Sequence, residues 1–216
     1  MIFSGAVTTI PIQAFCYCEN LTLFDIPDGI TTIGDSAFCG CSNLMRITIP
    51  HSVIEFGNQA FQECTGELII NSNIPNPSSD SDSSPFGGSK FTKVTIGDSV
   101  TTIGNYAFWA CRSLTSVTIG DSVTTIGDNA FSICDSLTSI TIPDSVTSIG
   151  DYAYYSCSHL TSVYCKATTP PSLGDNYVFG SNGSGRKIYV PAESVDAYKS
   201  ATNWSEYASA IVGYNF

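Results

Sequence analysis

Nine cysteines are the residues whose chemistry and spacing stand out first in this chain. Most of them occupy one position of a repeated motif, which predicts a row in which neighbours lie about 5 Å apart. In-register side chains point the same way, and cysteine is readily buried as a small apolar residue. We therefore expect a buried row of reduced thiols, called here the cysteine ladder: Cys18, Cys41, Cys64, Cys111, Cys134 and Cys157.

The sequence contains two Cys-x-Cys pairs, Cys16 with Cys18 and Cys39 with Cys41, which could bind a metal ion or form a disulfide. Four sulfurs could bind zinc, but only if they converge in a tetrahedron. The ladder cysteines are expected to point inward and Cys16 and Cys39 outward, so we predict no metal site. A disulfide between Cys16 and Cys39, which are one repeat apart, stays open as an alternative.

Carboxylates also recur at the repeat spacing, with Asp98, Asp121 and Asp144 in one row and Asp128 and Asp151 in another. Stacked carboxylates repel one another, and a calcium ion could relieve that repulsion. The same rows hold uncharged side chains in other repeats, namely His51, Asn58 and Asn105. This variation favours a side chain that accepts a hydrogen bond in a turn rather than one that binds a cation.

Catalytic groups are hard to assemble from this sequence. The two histidines, His51 and His159, hold different repeat positions, so neither is matched with a nucleophile and an orienting acid. Each glycine is a single turn residue, and no glycine-rich phosphate loop occurs. We predict that the chain is not an enzyme and needs no cofactor.

Two sets of side chains are candidates for a binding surface. The first is a row of outward strand positions that begins at Asp25 and whose candidate binding residues are Thr48, Thr95, Thr118, Thr141 and Tyr164. The second consists of aromatic residues beside the repeated A-F motif, Tyr106, Trp109, Tyr152 and Tyr155. Exposed tyrosine and tryptophan can stack on sugars or anchor a protein partner. The alternative is that the threonines supply β propensity and solubility and that the aromatic residues are exposed incidentally.

A repeat of 23 residues must position these side chains, as LTSVTIGDSVTTIGDNAFSIC from Leu114 and LTSITIPDSVTSIGDYAYYSC from Leu137 illustrate. One aromatic residue marks each repeat: Phe15, Phe38, Phe61, Phe108, Phe131 and Tyr154. Phe86 and Phe179 are expected to do the same in two irregular repeats. A leucine row runs in parallel through Leu21, Leu44, Leu68, Phe91, Leu114, Leu137 and Leu160.

Each repeat contains two extended segments and a turn. In Leu114-x-x-Val117-x-Ile119 the apolar residues alternate with an outward Thr118, which predicts a strand. The motif V-T-T-I-G predicts a second short strand closed by glycine, and A-F-x-x-C is long enough only for a turn or one turn of 3₁₀ helix.

Stacked repeats of this kind predict a β-rich solenoid, a right-handed coil of the leucine-rich-repeat type with short parallel strands. We assign residues 1–166 to the solenoid, with an irregular loop at about 71–90 that is rich in Ser, Pro and Asp. Residues 167–216 are expected to form a C-terminal cap with a short strand and a helix. Trp204 and its neighbours should pack on the last coil rather than surround a ligand.

Composition excludes several partners. Eight Lys and Arg against 19 Asp and Glu give a net charge of −11, which disfavours nucleic acid and anionic membranes. No apolar stretch is long enough to span a bilayer, and residues 1–12 lack the pattern of a secretion signal. The repeat is already under way at Val7, so we expect an uncapped first coil that can self-associate, and a Met1 that is not the natural start of a free-standing protein.

The motif C-x-x-L-x-x-V-x-I-P/G-D-S-V-T-x-I-G-x-x-A-F, repeated from about Val7 to Val163, resembles the BspA-like leucine-rich-repeat family. The tail PAESVDAYKSATNWSEYA resembles the closing segment of such proteins. The usual leucine-rich signature has Asn or Cys after the strand, whereas here the cysteine precedes the leucine.

The resemblance implies a cell-surface or secreted protein used in adhesion or protein binding, and it implies no catalytic residues. Our leading interpretation is therefore a non-catalytic binding module with a protein ligand on the outer surface of the solenoid. The alternatives are a glycan-binding module that uses the Tyr and Trp residues, or a structural spacer in a larger surface protein.

Overall fold

Alternating β-branched residues and closely spaced turns leave each repeat no room for a helix, so each repeat folds into one coil. A computed structural model describes residues 7–77 and 81–216 of the chain. Successive coils stack with parallel strands in register, as Thr9 opposite Thr32 and Ser139 opposite Ser162 show. The predicted β-solenoid with short parallel strands is confirmed.

A long sheet forms one side of the solenoid. Its strands within the described residues are β2 (Leu23–Asp25), β4 (Arg46–Ile49), β6 (Thr65–Ile70), β7 (Lys90–Ile96), β9 (Ser116–Ile119), β11 (Ser139–Ile142), β13 (Ser162–Cys165), β15 (Lys187–Pro191) and β16 (Ile211–Tyr214). Strands β2, β4, β6, β7 and β9 are hydrogen-bonded in that order, and so are β11, β13, β15 and β16. Strand β11 lies beside β9, so the two groups form one continuous side.

A second row of two-residue strands forms another side. These strands are β1 (Thr9–Ile10), β3 (Thr32–Ile33), β5 (Glu55–Phe56), β8 (Thr102–Ile103), β10 (Thr125–Ile126), β12 (Ser148–Ile149) and β14 (Ser172–Leu173). The short 3₁₀ helices are Ser81–Ser83, Ala192–Ser194 and Trp204–Tyr207, and one α-helix, α1, spans Val195–Ser200. Ile74 continues the second row by a single parallel bridge to Ile103.

The third side consists of the A-F turns, which use backbone hydrogen bonds in two directions. Alternate amides donate to the next coil, as Phe38 does to Ala60 at 2.8 Å, and the others turn back, as Ala37 does to Gly34 at 3.2 Å. Each turn also needs left-handed backbone, as at Asn129 with φ of 54°. Amides of the turn are thereby satisfied without a helix, as the length of the motif predicted.

One ring from each coil stacks on the next along the axis of the solenoid. Centroids of adjacent rings lie 5.0–5.6 Å apart, and the planes are within 18° of parallel. The stack runs through Phe15, Phe38, Phe61, Phe86, Phe108, Phe131, Tyr154 and Phe179. The expectation that Phe86 and Phe179 mark the irregular repeats is confirmed.

The leucine row departs from the prediction in the coil of β6. Leu68 pairs with Ile47 and Val94, so its placement in the leucine row was wrong. Gly66 lies opposite Phe91, and a Cβ at Gly66 would come within 2.3 Å of the Leu44 carbonyl oxygen. The row passes through a glycine because the backbones approach too closely there for any side chain.

The segment expected to be an irregular loop follows the coil for much of its length. Ile74 and Phe86 are fully buried, and the side chain of Asn73 accepts the amide of Thr101 at 2.7 Å. The amide of Asn105 likewise donates to the side chain of Asn76 at 2.8 Å. The side chain of Asn73 thus replaces a backbone carbonyl of a regular coil, whereas Asn76 makes the same side-chain contact that Asn105 makes with the amide of Asp128.

The C-terminal end of the aromatic stack is covered. Strands β14, β15 and β16 extend the two sheets beyond residue 166. Trp204 is fully buried, tilts against Phe179 at 5.8 Å and donates to the Pro171 carbonyl at 2.7 Å. The Tyr207 ring meets Phe179 edge-on at 5.6 Å, beneath the guanidinium of Arg186. As expected, these aromatic residues pack on the last coil; the division at residue 166 stays a prediction.

The first described coil has no such cover. Phe15 is only half-buried, whereas the equivalent Phe38 is fully buried. Tyr17 and Leu23 are 72% and 55% exposed. The two ends of the described solenoid therefore differ in apolar exposure. The expectation about Met1 lies outside the described residues.

Candidate functional site

The outward side chains of the long sheet form a continuous surface, called here the strand face. Its central row consists of Asp25, Thr48, Ile69, Thr95 and Thr118, followed by Thr141, Tyr164, Tyr189 and Val212. The five strand-row candidates from the sequence thus share one row, which also contains Ile69. Sequence reasoning missed Ile69, Tyr189 and Val212.

Threonine hydroxyls in the central row of the strand face differ from those at other positions of the coils. The hydroxyl of Thr115 donates to the Thr92 carbonyl at 2.9 Å, and that of Thr124 to Thr101 at 3.2 Å. Among the described residues, no side-chain hydrogen bond involves the hydroxyls of the central row: Thr48, Thr95, Thr118 and Thr141. These hydroxyls remain available to a ligand.

A shallow groove of about 490 Å³ runs along the middle of the strand face. Thr95, Thr118 and Thr141 line it together with Asp98, Asp121 and the side chain of Lys166. The carboxylates and the threonines therefore border the same surface. This volume lies within the range of about 300–1,000 Å³ that is usual for small-molecule sites.

The C-terminal part of the strand face is aromatic. Tyr164 and Tyr189 stack with centroids 4.7 Å apart, and Tyr214 meets both edge-on at 5.6 Å. Phe216 lies edge-on to Tyr214 at 5.0 Å. We call these four residues the tyrosine cluster. Tyr214 and Phe216 are 43% and 53% exposed, so the cluster meets solvent.

The turn-side aromatic candidates do not form one group. Tyr152 stacks on Tyr177 at 5.5 Å and meets Tyr155 edge-on at 5.3 Å. Within the described chain no ring contact joins Tyr106 or Trp109 to another aromatic residue. The intervening coil places Asn129 and Ser132 between the two pairs. Sequence reasoning missed Tyr177, because the step from Tyr152 to Tyr177 is longer than the regular repeat.

The cysteine ladder has a structural role that explains its position. The thiol of Cys64 donates to the Phe38 carbonyl at 3.0 Å, and that of Cys157 to the Phe131 carbonyl at 3.1 Å. Cys41, Cys111 and Cys134 make the same contact with the preceding coil. All five are buried, whereas Cys18 in the first described coil is half-buried.

Two residues replace cysteine where the ladder is irregular. Ser89 holds the position between Cys64 and Cys111, and its hydroxyl lies 3.3 Å from the Cys111 sulfur. Asn182 follows Cys157, and its amide donates to the Tyr154 carbonyl at 2.7 Å. Asn182 therefore repeats the contact of the ladder with an amide donor, whereas the Ser89 hydroxyl contacts the next sulfur of the ladder instead.

Cys16 and Cys39 occur as free thiols in neighbouring coils. Tyr17, next to Cys16, donates its amide to the Cys39 carbonyl at 2.7 Å, so the two cysteines are adjacent. Burial, followed by the nearby Cys16, raises the pKa of the Cys39 thiol. No sulfur of the nine is bonded to another.

The carboxylate rows act as hydrogen-bond acceptors. The amide of Asp121 donates to the Asp98 carboxylate at 3.2 Å, and the amide of Asp151 to the Asp128 carboxylate at 2.8 Å. Asn105 accepts the Asp128 amide in the same way at 2.8 Å. This contact accounts for the exchange of Asp and Asn that the sequence shows. Over residues 7–77 and 81–216, no three His, Cys, Asp or Glu side chains are arranged to hold a metal ion.

The histidines lie apart. His51 is exposed, and Nδ1 of His159 is 2.6 Å from the Asp135 carbonyl oxygen and 3.2 Å from the Ser158 hydroxyl. A carbonyl in that position engages the ring nitrogen without orienting it toward a nucleophile.

No helix of the described chain is long and apolar enough to cross a bilayer.

A family model for the BspA type leucine rich repeat region matches residues 8–84 and 79–205 in six copies. No curated protein matches the chain. A crystal structure of a leucine-rich repeat protein from Bacteroides ovatus ATCC 8483 is similar, with 28% identity and a TM-score of 0.59. The similarity covers 89% of this chain and 50% of that protein, so this chain spans about half of its length.

Two further structures are similar at lower identity. A leucine rich cell surface protein from Faecalibacterium prausnitzii A2-165 has 21% identity and a TM-score of 0.46, over 98% of this chain and 68% of that one. The pneumococcal vaccine antigen PcpA has 16% identity and a TM-score of 0.45, over 99% of this chain and 71% of that one.

Proposed function

Because the chain belongs to the BspA type leucine rich repeat family, we propose that it is a non-catalytic, protein-binding module that is displayed on a cell surface or secreted and acts in adhesion. The family suggests a role in protein binding or adhesion, and the strand face is the surface on which we place it. Extended solenoid surfaces of this kind commonly bind other proteins.

The observation that carries this proposal is the row of unbonded hydroxyls beside the groove. Thr95, Thr118 and Thr141 offer donors and acceptors at about 4.8 Å intervals, on strands whose spacing is fixed by the backbone. A rigid surface of this kind loses little conformational entropy on binding. The partner binds through hydrogen bonds to this flat surface. The tyrosine cluster lies at one end of the same surface.

Binding should depend on the strand face and not on the neighbouring side of the coil. Purified extracellular proteins, immobilised as a panel, are probed with the wild-type chain and with a Thr118→Arg/Thr141→Arg variant. A matched variant carries Thr124→Arg/Thr147→Arg, which adds the same charge beside the short sheet. Loss of a bound partner only in the first variant supports the proposal, and loss in both or in neither contradicts it.

Display is tested separately on intact cells of the source organism. An antibody raised against residues 81–216 should label intact cells or precipitate the protein from culture medium. Detection only after lysis would contradict the surface assignment.

Self-association through the first coil is a further part of the proposal. Tyr17, Leu23 and the half-buried Phe15 present apolar surface on the first described coil. We propose a second copy of the chain as the partner, because the same apolar side chains would then be buried against one another.

A further inference from the structure

The outward side chains of the last four strands differ in charge from the rest of the protein. The segments 139–143, 162–166, 187–191 and 211–216 contain no Asp or Glu, although the chain carries 19 of them. They contain two lysines, Lys166 and Lys187, beside the tyrosine cluster. These strands therefore carry lysine without a carboxylate of their own, on a chain of net charge −11.

Both lysines lack an acidic partner. Four other cations form ion pairs across coils, for example Lys93 with Glu67 at 2.7 Å and Arg112 with Asp135 at 2.6 Å. No ion pair within the described chain involves Lys166 or Lys187, although Asp121 and Asp144 line grooves next to Lys166. The ammonium groups of these two lysines, near one aromatic cluster, are therefore available to pair with an anionic ligand.

The register fixes where the lysines lie relative to the rings. Lys187 is two residues before Tyr189 on β15, and Lys166 is two residues after Tyr164 on the neighbouring β13. Buried Val163 and Ile188 alternate with these positions, so all four point outward. The two lysine Cα atoms are about 14 Å apart, with the stacked tyrosines between them.

One ring face in the cluster is open. Tyr189 covers one face of Tyr164, and the other is directed along the sheet toward Thr141, which lies opposite Tyr164 in register. Threonine is too short to cover a phenol ring. Thr141 and Lys166 line the groove, so a flat ring placed over Thr141 would lie beside Tyr164, its partner in register.

We propose that this part of the strand face binds an acidic glycan, a sugar chain that bears carboxylate or sulfate groups. The apolar face of one pyranose stacks on the open face of Tyr164, and its hydroxyl groups meet the free hydroxyl of Thr141. Acidic groups on this sugar and on a neighbouring one pair with Lys166 and Lys187. An acidic peptide is less suited, because a side-chain anchor needs a pocket and the clustered rings form none.

The inference concerns the C-terminal third of the strand face and does not depend on the proposed protein partner. It is tested by calorimetry with hexasaccharides of hyaluronan, chondroitin sulfate and chitin, and with a glutamate-rich peptide. The first two probes should bind, and comparing them separates carboxylate from sulfate recognition. The neutral chitin probe should bind about tenfold or more weakly.

The deciding variant is Lys166→Met/Lys187→Met, which keeps the aliphatic stems and should raise the Kd for the acidic probes by about tenfold. Its matched control is Lys90→Met/Lys93→Met, which removes two ion-paired lysines from β7 and should change the Kd less than about twofold. Tyr164→Ala should weaken binding, and Trp109→Ala on the turn side should not. Absence of binding to both acidic probes, equal loss in the two lysine variants, or tighter binding of the peptide overturns the proposal.

Discussion

A backbone carbonyl has two lone pairs, and the cysteine ladder explains how both are used at Phe15, Phe38, Phe86 and Phe108 of the aromatic stack. Phe38, for example, accepts the amide of Cys41 in its own coil at 3.2 Å and the thiol of Cys64 in the next coil at 3.0 Å. A thiol suits this place because it is a weak donor that costs little to bury. Asn182 keeps the donor to the preceding aromatic carbonyl where the coil is irregular, and Ser89 places a hydroxyl beside the sulfur of Cys111.

Thiol labelling should follow burial along the ladder. In the reduced protein, Cys16 and Cys18 are half-buried and should react first, whereas Cys111 and Cys134 should react only after denaturant is added. Burial raises the pKa of the Cys111 thiol to about 12, so the reactive thiolate is scarce at neutral pH. Counting labelled thiols by mass spectrometry checks this. Rapid native labelling of Cys111 would contradict it.

Tyr154 carries a hydroxyl in a stack otherwise made of phenylalanine, and this hydroxyl has no hydrogen-bond partner among the described residues. Burying it unpaired costs free energy, so Tyr154→Phe should raise the free energy of unfolding by about 1 kcal/mol. The matched control is Tyr198→Phe, which removes a buried hydroxyl that donates to the Ala167 carbonyl at 2.8 Å. That variant should be destabilised. Urea unfolding measures both, and a loss of stability in Tyr154→Phe would show that its hydroxyl has a partner.

At the scale of the element, each ring of the aromatic stack supports two coils. Phe131 contacts Phe108 at 5.2 Å and Tyr154 at 5.3 Å, whereas Phe15 has one described neighbour in the stack, Phe38, and also touches Phe24 of its own coil at 5.1 Å. The same residue type therefore contributes differently in the middle of the solenoid and at its first coil. In repeat proteins this difference reflects the number of neighbouring coils.

Truncation of the central ring should be costly. Phe131→Ala is expected to lower the free energy of unfolding by about 3–5 kcal/mol, because it opens a cavity between two coils. Phe15→Ala should cost clearly less, and Tyr177→Ala, at a residue 51% exposed, should cost least. Denaturant melts of the three variants test this order. Equal melting of Phe131→Ala and the parent would contradict the packing described here.

The elements that the sequence predicted are those whose spacing is regular. A constant step from one repeat to the next located the aromatic stack, the cysteine ladder and the threonine row. Leu68 was misplaced because Gly66 breaks the motif, and Tyr189 was missed because the step from Tyr164 to Tyr189 is longer than the regular repeat. The direction of the thiol hydrogen bonds and the open face of Tyr164 depend on contacts between coils, which no single repeat encodes.

At the scale of the whole molecule, the two described ends differ in what covers them. Trp204 and Tyr207 close the aromatic stack at one end, and Phe15 remains half-buried at the other. The apolar side chains exposed on the first described coil favour association, because a contact would remove them from water. The asymmetry predicts that contacts between copies form at the first coil.

Sedimentation velocity over a range of concentrations tests this expectation. The wild-type chain should show a concentration-dependent dimer, and Tyr17→Glu/Leu23→Glu should remain monomeric, because charge is costly to bury in an apolar contact. Ile54→Glu, at an exposed apolar residue on the side of a coil, is the matched control and should still dimerise. A wild-type monomer at all concentrations, or dimerisation of the Tyr17 and Leu23 variant, would refute the prediction.

The hydrogen bonds between coils run along the axis of the solenoid, and this direction determines how the molecule bears tension. A pull between its two ends loads these bonds one coil at a time, so the chain peels open instead of shearing many bonds at once. Each released coil lengthens the chain by up to about 8 nm. In a protein that tethers a cell, such stepwise extension would limit the force on the contact with the surface. The chain would lengthen under flow before that contact breaks.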